Sequence, residues 1–418
     1  MTMLRAREAA MTDATRRPGR PARALVLRRL AAFPCGSLRI EEPDGRMLEV
    51  GTGTPRGSLR VRDWSLYRRL AAGGATAAGE AWVEGLWETE SLLEVIRYFA
   101  ANVAAMEDME RGLASLGRPL QWLSLWLRRN SPGGARRNIT AHYDLGNDFF
   151  RLFLDTQMQY SSAVFPTPEA SLEQAQEHKM ERLCRALTLE PEHHLLEIGT
   201  GWGGLALYAA GRFGCRVTTT TISRRQYEHA RLLVREAGLE DRVTVLAEDY
   251  RDLHGTFDRI VSVEMIEAVG ARYLPTYFRQ LGRLLAPGGQ LALQAITIDH
   301  RRYRQALHRE DFIKRHVFPG GFLPSVPVLQ THLERNARLR SLALEDIGMD
   351  YARTLSHWRQ RFMEAREEAA ALAGMDERFL RLWEYYLTYC EGAFREGAIS
   401  AVQLLAGGRH GPVAAFRT

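Results

Sequence analysis

The chain is short of lysine, of cysteine and of long apolar runs, and each shortage narrows what it can be. Among 418 residues, 56 are lysine or arginine, yet Lys179 and Lys314 are the only lysines. Arginine therefore carries the positive charge, and the net balance is +6. The four cysteines, Cys35, Cys184, Cys215 and Cys390, never fall into C-x-x-C, and no histidine cluster has ligand spacing. No metal is expected, and the thiols are read as reduced, as in a cytosolic protein. No run of about 18 apolar residues exists, so no membrane-spanning helix is expected. The N-terminus, dotted with Arg5, Arg7, Arg16, Arg17 and Arg20, lacks the uninterrupted apolar core of a secretory signal. An N-P-P-Y motif and a separate basic recognition domain are also missing, which argues against nucleic acid. The mild positive balance then suits an anionic phospholipid surface.

What is present is organised around His194-Leu-Leu-Glu-Ile-Gly-Thr-Gly-Trp-Gly-Gly204. An apolar run, Leu195 to Ile198, ends in glycines, and a helix of small residues follows. Gly199, Gly201 and Gly203 permit positive φ and close approach of a ligand to the backbone. Strand, tight turn and helix in this order cradle a nucleotide at the carboxyl end of a first strand. The spacing is G-x-G-x-G, and the second strand, Arg216 to Ile222, ends in hydroxyls and Gln226 in place of the acid that holds an NAD ribose. The acid lies before the glycines, at Glu197. The pattern points to a nucleoside that carries a cation and no pyrophosphate, as S-adenosylmethionine does.

Around this loop the chain divides. Residues 1–22 read as a disordered tail broken by Pro18 and Pro21, and Met11 is an alternative start. Residues 23–130 read as a small α+β domain with a linker helix. In it Leu38-Arg-Ile-Glu41 and Leu59-Arg-Val-Arg62 alternate like half-buried strands, and Glu90 to Met109 has helical spacing. Trp122 and Trp126 share a helix face near Arg128 and Arg129; membrane-interface contact and a packed linker helix both remain open. Residues 131–418 read as the catalytic domain. Candidate strands at 194–198, 216–222, 243–247, 258–263 and 290–297 alternate with helices near 203–213, 224–237 and 273–285. This rhythm predicts a doubly wound, mostly parallel α/β sheet. The segments 339–344 and 401–405 are expected to supply its last two strands.

Four blocks carry a resemblance to a known family. They are Ala141-His-Tyr-Asp-Leu-Gly-Asn-Asp148 with Met158-Gln-Tyr-Ser-Ser-Ala163; Glu197 to Gly204 with Thr221-Ile-Ser-Arg-Arg-Gln226; Asp258-Arg-Ile-Val-Ser-Val-Glu-Met-Ile-Glu267; and Phe318-Pro-Gly-Gly-Phe-Leu-Pro-Ser325 with Asp350-Tyr-Ala-Arg-Thr-Leu355. In these residues, across roughly 75–408, the chain resembles the cyclopropane-fatty-acyl-phospholipid synthases and their mycolic-acid relatives. The resemblance implies a class I methyltransferase-like fold with S-adenosylmethionine as methyl donor. Tyr160 and Ser161 would hold its methionine end. Glu197, Gly199, Thr200 and Gly201 would pass under it, Thr221, Ile222, Ser223 and Gln226 would reach the ribose, and Tyr250 and Arg251 would flank the adenine.

The implied reaction adds a methylene to the cis double bond of an unsaturated phospholipid acyl chain, giving a cyclopropane. The family holds a bicarbonate ion as base, and the matching positions here are Glu267, Tyr351, the amide of Ile296, Ser162 and Gln294. Ser162 stands where the family has cysteine, and Gln294 where it has histidine. Gln cannot titrate near neutrality as His does, so a methylene- or methyl-branched product is the alternative. Glu264, three residues before Glu267, is expected on the same side. Cys390 matches a family cysteine sometimes assigned as nucleophile, but reads better as a structural thiol. His142 and Tyr143 would shape the cofactor entrance, and His316 reads as core. Trp358, Trp383, Tyr385 and Tyr386 read as helix core before acyl channel. The implied setting is the cytoplasmic face of a membrane, held peripherally, with a homodimer as a further expectation. A small-molecule methyltransferase and a non-catalytic cofactor- or lipid-binding protein are the competing readings.

Overall fold

The computed structural model describes residues 20–111, 145–408 and 416. The Trp122/Trp126 segment, the linker around Ser131, and His142 and Tyr143 lie outside the described residues. Two compact units form, one from residues 1–116 with 374–392, the other from 117–373 with 393–418. The sequence suggests a single boundary near 130. The difference arises because the helix Glu377–Arg395, far along the chain, contributes most of its length to the first unit. There the Arg381 guanidinium lies 4.2 Å from the Trp82 ring centre and donates to the Trp82 carbonyl at 2.8 Å. Gly392 leaves room for Ile96.

The first unit is built on a four-stranded sheet in the order β2-β1-β3-β4, made of β1 (Ser37–Glu41), β2 (Met47–Gly51), β3 (Arg56–Val61) and β4 (Trp87–Glu88). β1 and β2 form an antiparallel hairpin, and β3 joins β1 in parallel. The helix Arg20–Leu30 precedes them, so structure begins inside the stretch read as tail. Pro21 does not break this helix, because proline is accommodated in a first turn where its missing N–H has no partner to lose. Arg23 on this helix pairs with buried Glu42 at 2.6 Å, and Tyr67 donates to the same carboxylate at 2.7 Å.

The second unit carries a seven-stranded sheet, ordered β10-β11-β9-β8-β5-β6-β7. Its strands are β5 (His194–Ile198), β6 (Arg216–Thr220), β7 (Val243–Leu246), β8 (Phe257–Val263), β9 (Leu285–Ile298), β10 (Arg340–Asp346) and β11 (Ile399–Gly407). β7, β6, β5, β8 and β9 run parallel, and β11 and β10 close one edge antiparallel. This is the expected doubly wound, mostly parallel sheet. Strand order reverses between β5 and β8, and the crevice beyond their carboxyl ends is where such sheets hold ligands. The flanking helices follow their patterns. Leu274–Leu284 buries Leu274, Tyr277, Phe278, Leu281 and Leu284 on one stripe, each worth roughly 1.5–3 kcal/mol. Gly204–Phe213 lies close to the sheet through Ala206, Ala209 and Ala210. Ser171 and Gln174 cap Leu172–Ala186 reciprocally.

Candidate active site

The loop after β5 is shaped by glycines that other residues replace poorly. Gly199 and Gly203 take φ of 102° and 99°. A Cβ at Gly199 would press on Met265 at 3.3 Å, whereas one at Gly201 would meet nothing within 4 Å, so the chain leaves open room there. The amides of Gly199 and Thr200 both donate to the Thr220 carbonyl at 3.1 Å, which ties the loop to the end of β6. Beneath the loop, Thr219 Oγ1 lies 2.6 Å from Glu197 Oε2 and 2.7 Å from Thr200 Oγ1. Burial pushes the Glu197 carboxyl up to about 8, against the pull of Thr219 and Lys179. Glu197 therefore supports the loop from below through Thr219, with burial favouring its neutral form.

After β6, Thr221 Oγ1 donates to Gln226 Oε1 at 2.9 Å, and Ser223 caps the helix Arg224–Glu236 through the Gln226 amide. Ile222 sits half-buried between them. Beyond β7, Tyr250 stands edge-on to Tyr277, with ring centres 5.3 Å apart. Arg251 forks onto Asp249 and lies 5.4 Å from the Tyr250 ring. Thr221–Gln226 and Tyr250–Arg251 thus follow successive strands of one sheet edge.

A second wall comes from residues 155–165. Asp155 accepts the amides of Gln157 and Gln159 and folds the turn. Tyr160 faces Trp358 and Phe150, each 5.3 Å away between ring centres. Ser161 accepts a hydrogen bond from Lys179 Nζ at 2.9 Å, and Lys179 also donates to Gln159 at 2.9 Å. Lys179 is fully buried, and burial pulls its pKa down to about 8 against Asp155, Glu264 and Glu197. Sequence reasoning passed over it, although one of two lysines in an arginine-rich chain was a usable signal. Trp202, which donates to Asn147 at 2.9 Å and packs on Phe150, was also missed. The helix Gly348–Glu364 pins this wall, since Thr354 Oγ1 accepts the Ala163 amide and Asp350 accepts the Phe165 amide.

The strongest convergence is at the end of β8. Glu264 has φ of 48°, a left-handed conformation that costs about 1–2 kcal/mol for a residue with a Cβ. Its amide continues the ladder by donating to the Gln294 carbonyl of β9 at 2.8 Å. Its carboxylate then collects three donors. The Ser162 amide and the Gln294 side-chain amide reach Oε1, both at 2.8 Å, and the Tyr351 hydroxyl reaches Oε2 at 2.7 Å. Gln294 is aimed by Gln403, its partner across β9 and β11, which donates to Gln294 Oε1 at 3.0 Å. The other amide proton of Gln294 goes to the Ser162 carbonyl. The Ser162 hydroxyl, expected to face an anion, turns away and donates to the Ala163 carbonyl at 2.9 Å. Its position in the chain contributes an amide rather than a side chain.

Glu267 lies beside this group on a short turn, Ile266–Ala268, and accepts the Ile296 amide at 2.6 Å. Its Oε2 is sealed from solvent with no hydrogen-bond partner. Burial and the neighbouring Glu264 charge push Glu267 up to about 8. Burial also raises Glu264, but Gln294, Tyr351, Ser162 and Lys179 all favour its ionised form. The surroundings push the two carboxyls apart: burial and the neighbouring Glu264 hold Glu267 toward its protonated form, while the three donors on Glu264 favour its carboxylate. Tyr351 is stacked on Phe394 at 4.4 Å and stands edge-on to Trp358. Five of the six residues expected to be catalytic therefore gather here. The sixth, Cys390, belongs to the first unit. Trp358 is buried core of the site wall, and Trp383, Tyr385 and Tyr386 are buried in the first unit. His316, read as core, packs on the Phe312 ring but is exposed, because it lies at the end of the short helix Phe312–His316. Among the described residues no cluster of His, Cys, Asp and Glu could hold a metal.

The family model for mycolic acid cyclopropane synthetase matches residues 131–404. The chain belongs to this family. As a cyclopropane synthetase family member it is 39% identical over 383 residues to the tuberculostearic acid methyltransferase UfaA1 of Mycobacterium tuberculosis, covering 88% of this chain and 86% of that one. It is 36% identical over 358 residues to the cyclopropane-fatty-acyl-phospholipid synthase of Escherichia coli strain K12, covering 84% and 88%. Among solved structures, mycolic acid cyclopropane synthase CmaA1 complexed with SAH and CTAB aligns with a TM-score of 0.61 at 31% identity, over 65% of this chain and 98% of that one. The family is one of S-adenosylmethionine-dependent enzymes of lipid modification, and the relatives of this chain include cyclopropane synthases and fatty acid methyltransferases.

Proposed function

We propose that this protein uses S-adenosylmethionine to add a one-carbon unit to the cis double bond of a phospholipid acyl chain. The observation that carries the reading is the meeting, at one sheet edge, of an open glycine loop with a carboxylate pair walled by aromatic rings. The residues fit the cofactor: Gly201 leaves room, and the 221–226 turn offers hydroxyls and an amide. When bound, S-adenosylmethionine supplies an electrophilic methyl on a sulfonium. Ser161 and Lys179 would hold the methionine end, Thr221 to Gln226 the ribose, and Tyr250 with Arg251 the adenine. An alkene is a weak nucleophile, so the protein must supply proximity and exclude water. The faces of Tyr160, Tyr351 and Trp358 suit the positive charge that passes from donor to acyl chain. A basic group beside them then takes a proton from the transferred methyl.

Ring closure to a cyclopropane is the first reading, supported by the family and by the match to the Escherichia coli synthase. A methylene-branched chain is the second, favoured by neutral Gln294 in the expected histidine position and by the 39% match to a tuberculostearic acid methyltransferase. The two products are isomers. The enzyme would work peripherally at the cytoplasmic face of a membrane; no helix among the described residues is long and apolar enough to cross one.

The test is to incubate the protein with methyl-labelled S-adenosylmethionine and vesicles of cis-monounsaturated phospholipid. Label in the acyl chains is expected. Proton NMR then separates upfield ring protons from vinyl protons. Label that never enters lipid, with cofactor binding intact, overturns the reading.

A further inference from the structure

The donor set at the end of β8 does not suit a bound bicarbonate ion. Such an ion needs several free hydrogen-bond donors and tolerates no uncompensated anion beside it. Here the donors are committed. The Tyr351 hydroxyl, the Ser162 amide and one Gln294 amide proton all point at the Glu264 carboxylate. The other Gln294 proton serves the Ser162 carbonyl, and the Ser162 hydroxyl serves Ala163. The Ile296 amide serves Glu267. A bicarbonate ion would have to break these bonds and sit against the Glu264 charge. The trigonal, two-oxygen group those donors would otherwise receive is already present as a side chain.

We infer that the Glu264 carboxylate is the built-in catalytic base of this enzyme, and that turnover needs no bicarbonate. The inference rests on the function proposed above and names the group that carries its last step. The alkene electron pair forms a bond to the methyl carbon while the carbon–sulfur bond breaks, leaving S-adenosylhomocysteine and a cation on the acyl chain. A Glu264 oxygen then takes a proton from the transferred methyl. The released C–H pair closes the three-membered ring, or forms the methylene double bond if a hydride has first moved to the cationic carbon. Glu264 passes the proton on to solvent, so each turnover releases one proton. The left-handed backbone at Glu264 fits this role, because it holds the carboxyl among donors brought from three other segments of the chain. Burial and the nearby Glu264 carboxylate bias Glu267 toward its neutral form, which limits a second charge beside the base.

The experiment uses the full-length protein with the vesicle assay in degassed, bicarbonate-depleted buffer. Wild type is expected to run within about twofold of its rate after bicarbonate is restored. Glu264→Gln keeps the shape and removes the base, and should lower turnover by about 10²–10⁴ with cofactor binding retained. Glu264→Gly frees the three donors and suits the positive φ. It should be slow without bicarbonate, recover at least tenfold when bicarbonate is added, and bind ¹³C-bicarbonate by NMR where wild type does not. Wild-type activity that collapses without bicarbonate and returns with it overturns the inference while leaving the lipid reaction standing. Near-wild-type turnover of Glu264→Gln overturns it as well. Absence of lipid labelling by wild type in both buffers instead overturns the functional reading on which the inference depends.

Discussion

Replacing Lys179 by methionine keeps the length of the side chain and removes its charge. The ammonium is fully buried, and burial lowers its pKa from 10.5 to about 8. In the unfolded chain it returns to its ordinary value. Between about pH 8 and pH 10.5 the unfolded state then binds more protons than the folded one, so this group makes stability rise with pH across that window. A fall of about 2.5, at about 1.36 kcal/mol for each pK unit, amounts to about 3 kcal/mol. Near pH 7 the variant loses two hydrogen bonds, to Gln159 and Ser161, which costs about 1–3 kcal/mol for each acceptor left unpaired. It also loses the burden of a buried charge, about 3 kcal/mol in the opposite direction. The expected change at neutral pH is therefore small. Urea unfolding of both proteins, without cofactor, at about pH 7.5 and pH 10.5 reads the difference. Wild type should gain about 3 kcal/mol on the variant between the two conditions, because methionine does not titrate. Titrating groups that Lys179 does not act on cancel in that comparison, whereas Glu197 and Glu264, which its charge favours as carboxylates, do not. A stability gap that is the same at both pH values would falsify the burial of the charge. The variant should also bind S-adenosylmethionine at least tenfold more weakly by calorimetry, and unchanged binding removes Lys179 from the cofactor site.

Further outcomes follow from single contacts. Glu197 is raised from 4.5 to about 8, so the folded state binds the extra proton between those values and its stability falls as pH rises through them. Glu197→Gln can still accept from Thr219, and should gain on wild type by several kcal/mol, on the order of 4, between about pH 5 and pH 8 in urea titrations; a flat difference refutes this. Gly201→Ala places a methyl in open space at φ of 53°, so the unliganded protein should lose only about 1–2 kcal/mol. Its affinity for S-adenosylmethionine should nevertheless fall at least tenfold, and unaltered affinity shows that the ligand does not pass over this loop. In the first unit, Gly392→Ala would bring a Cβ within 2.6 Å of Ile96 Cγ2 and should cost about 1–3 kcal/mol with cofactor affinity unchanged. Loss of cofactor affinity in that variant would contradict its assignment to a separate unit.

The sequence by itself determined the sheet and its loop. Apolar runs of strand length, amphipathic helices between them and glycines at Gly199, Gly201 and Gly203 are local patterns, and local backbone preference is enough to read them. The five parallel strands lie within a few residues of their expected bounds, although β9 begins at Leu285 rather than 290. Glu267, Tyr351, Ser162, Gln294 and Ile296 were legible as a group through their resemblance to a family. Their arrangement was not. Whether Ser162 offers its hydroxyl or its amide depends on the turn of one loop, and Gln294 is aimed by Gln403, which lies 109 residues away. Glu264 read as a neighbour of Glu267, yet it is the carboxylate on which the donors converge. The return of Glu377–Arg395 to the first unit and the burial of Lys179 were likewise decided in three dimensions. Hydrogen bonds act over about 3 Å and desolvation depends on what covers a group, so both are set by distant segments meeting in space. Spacing along the chain carries the first kind of information and not the second.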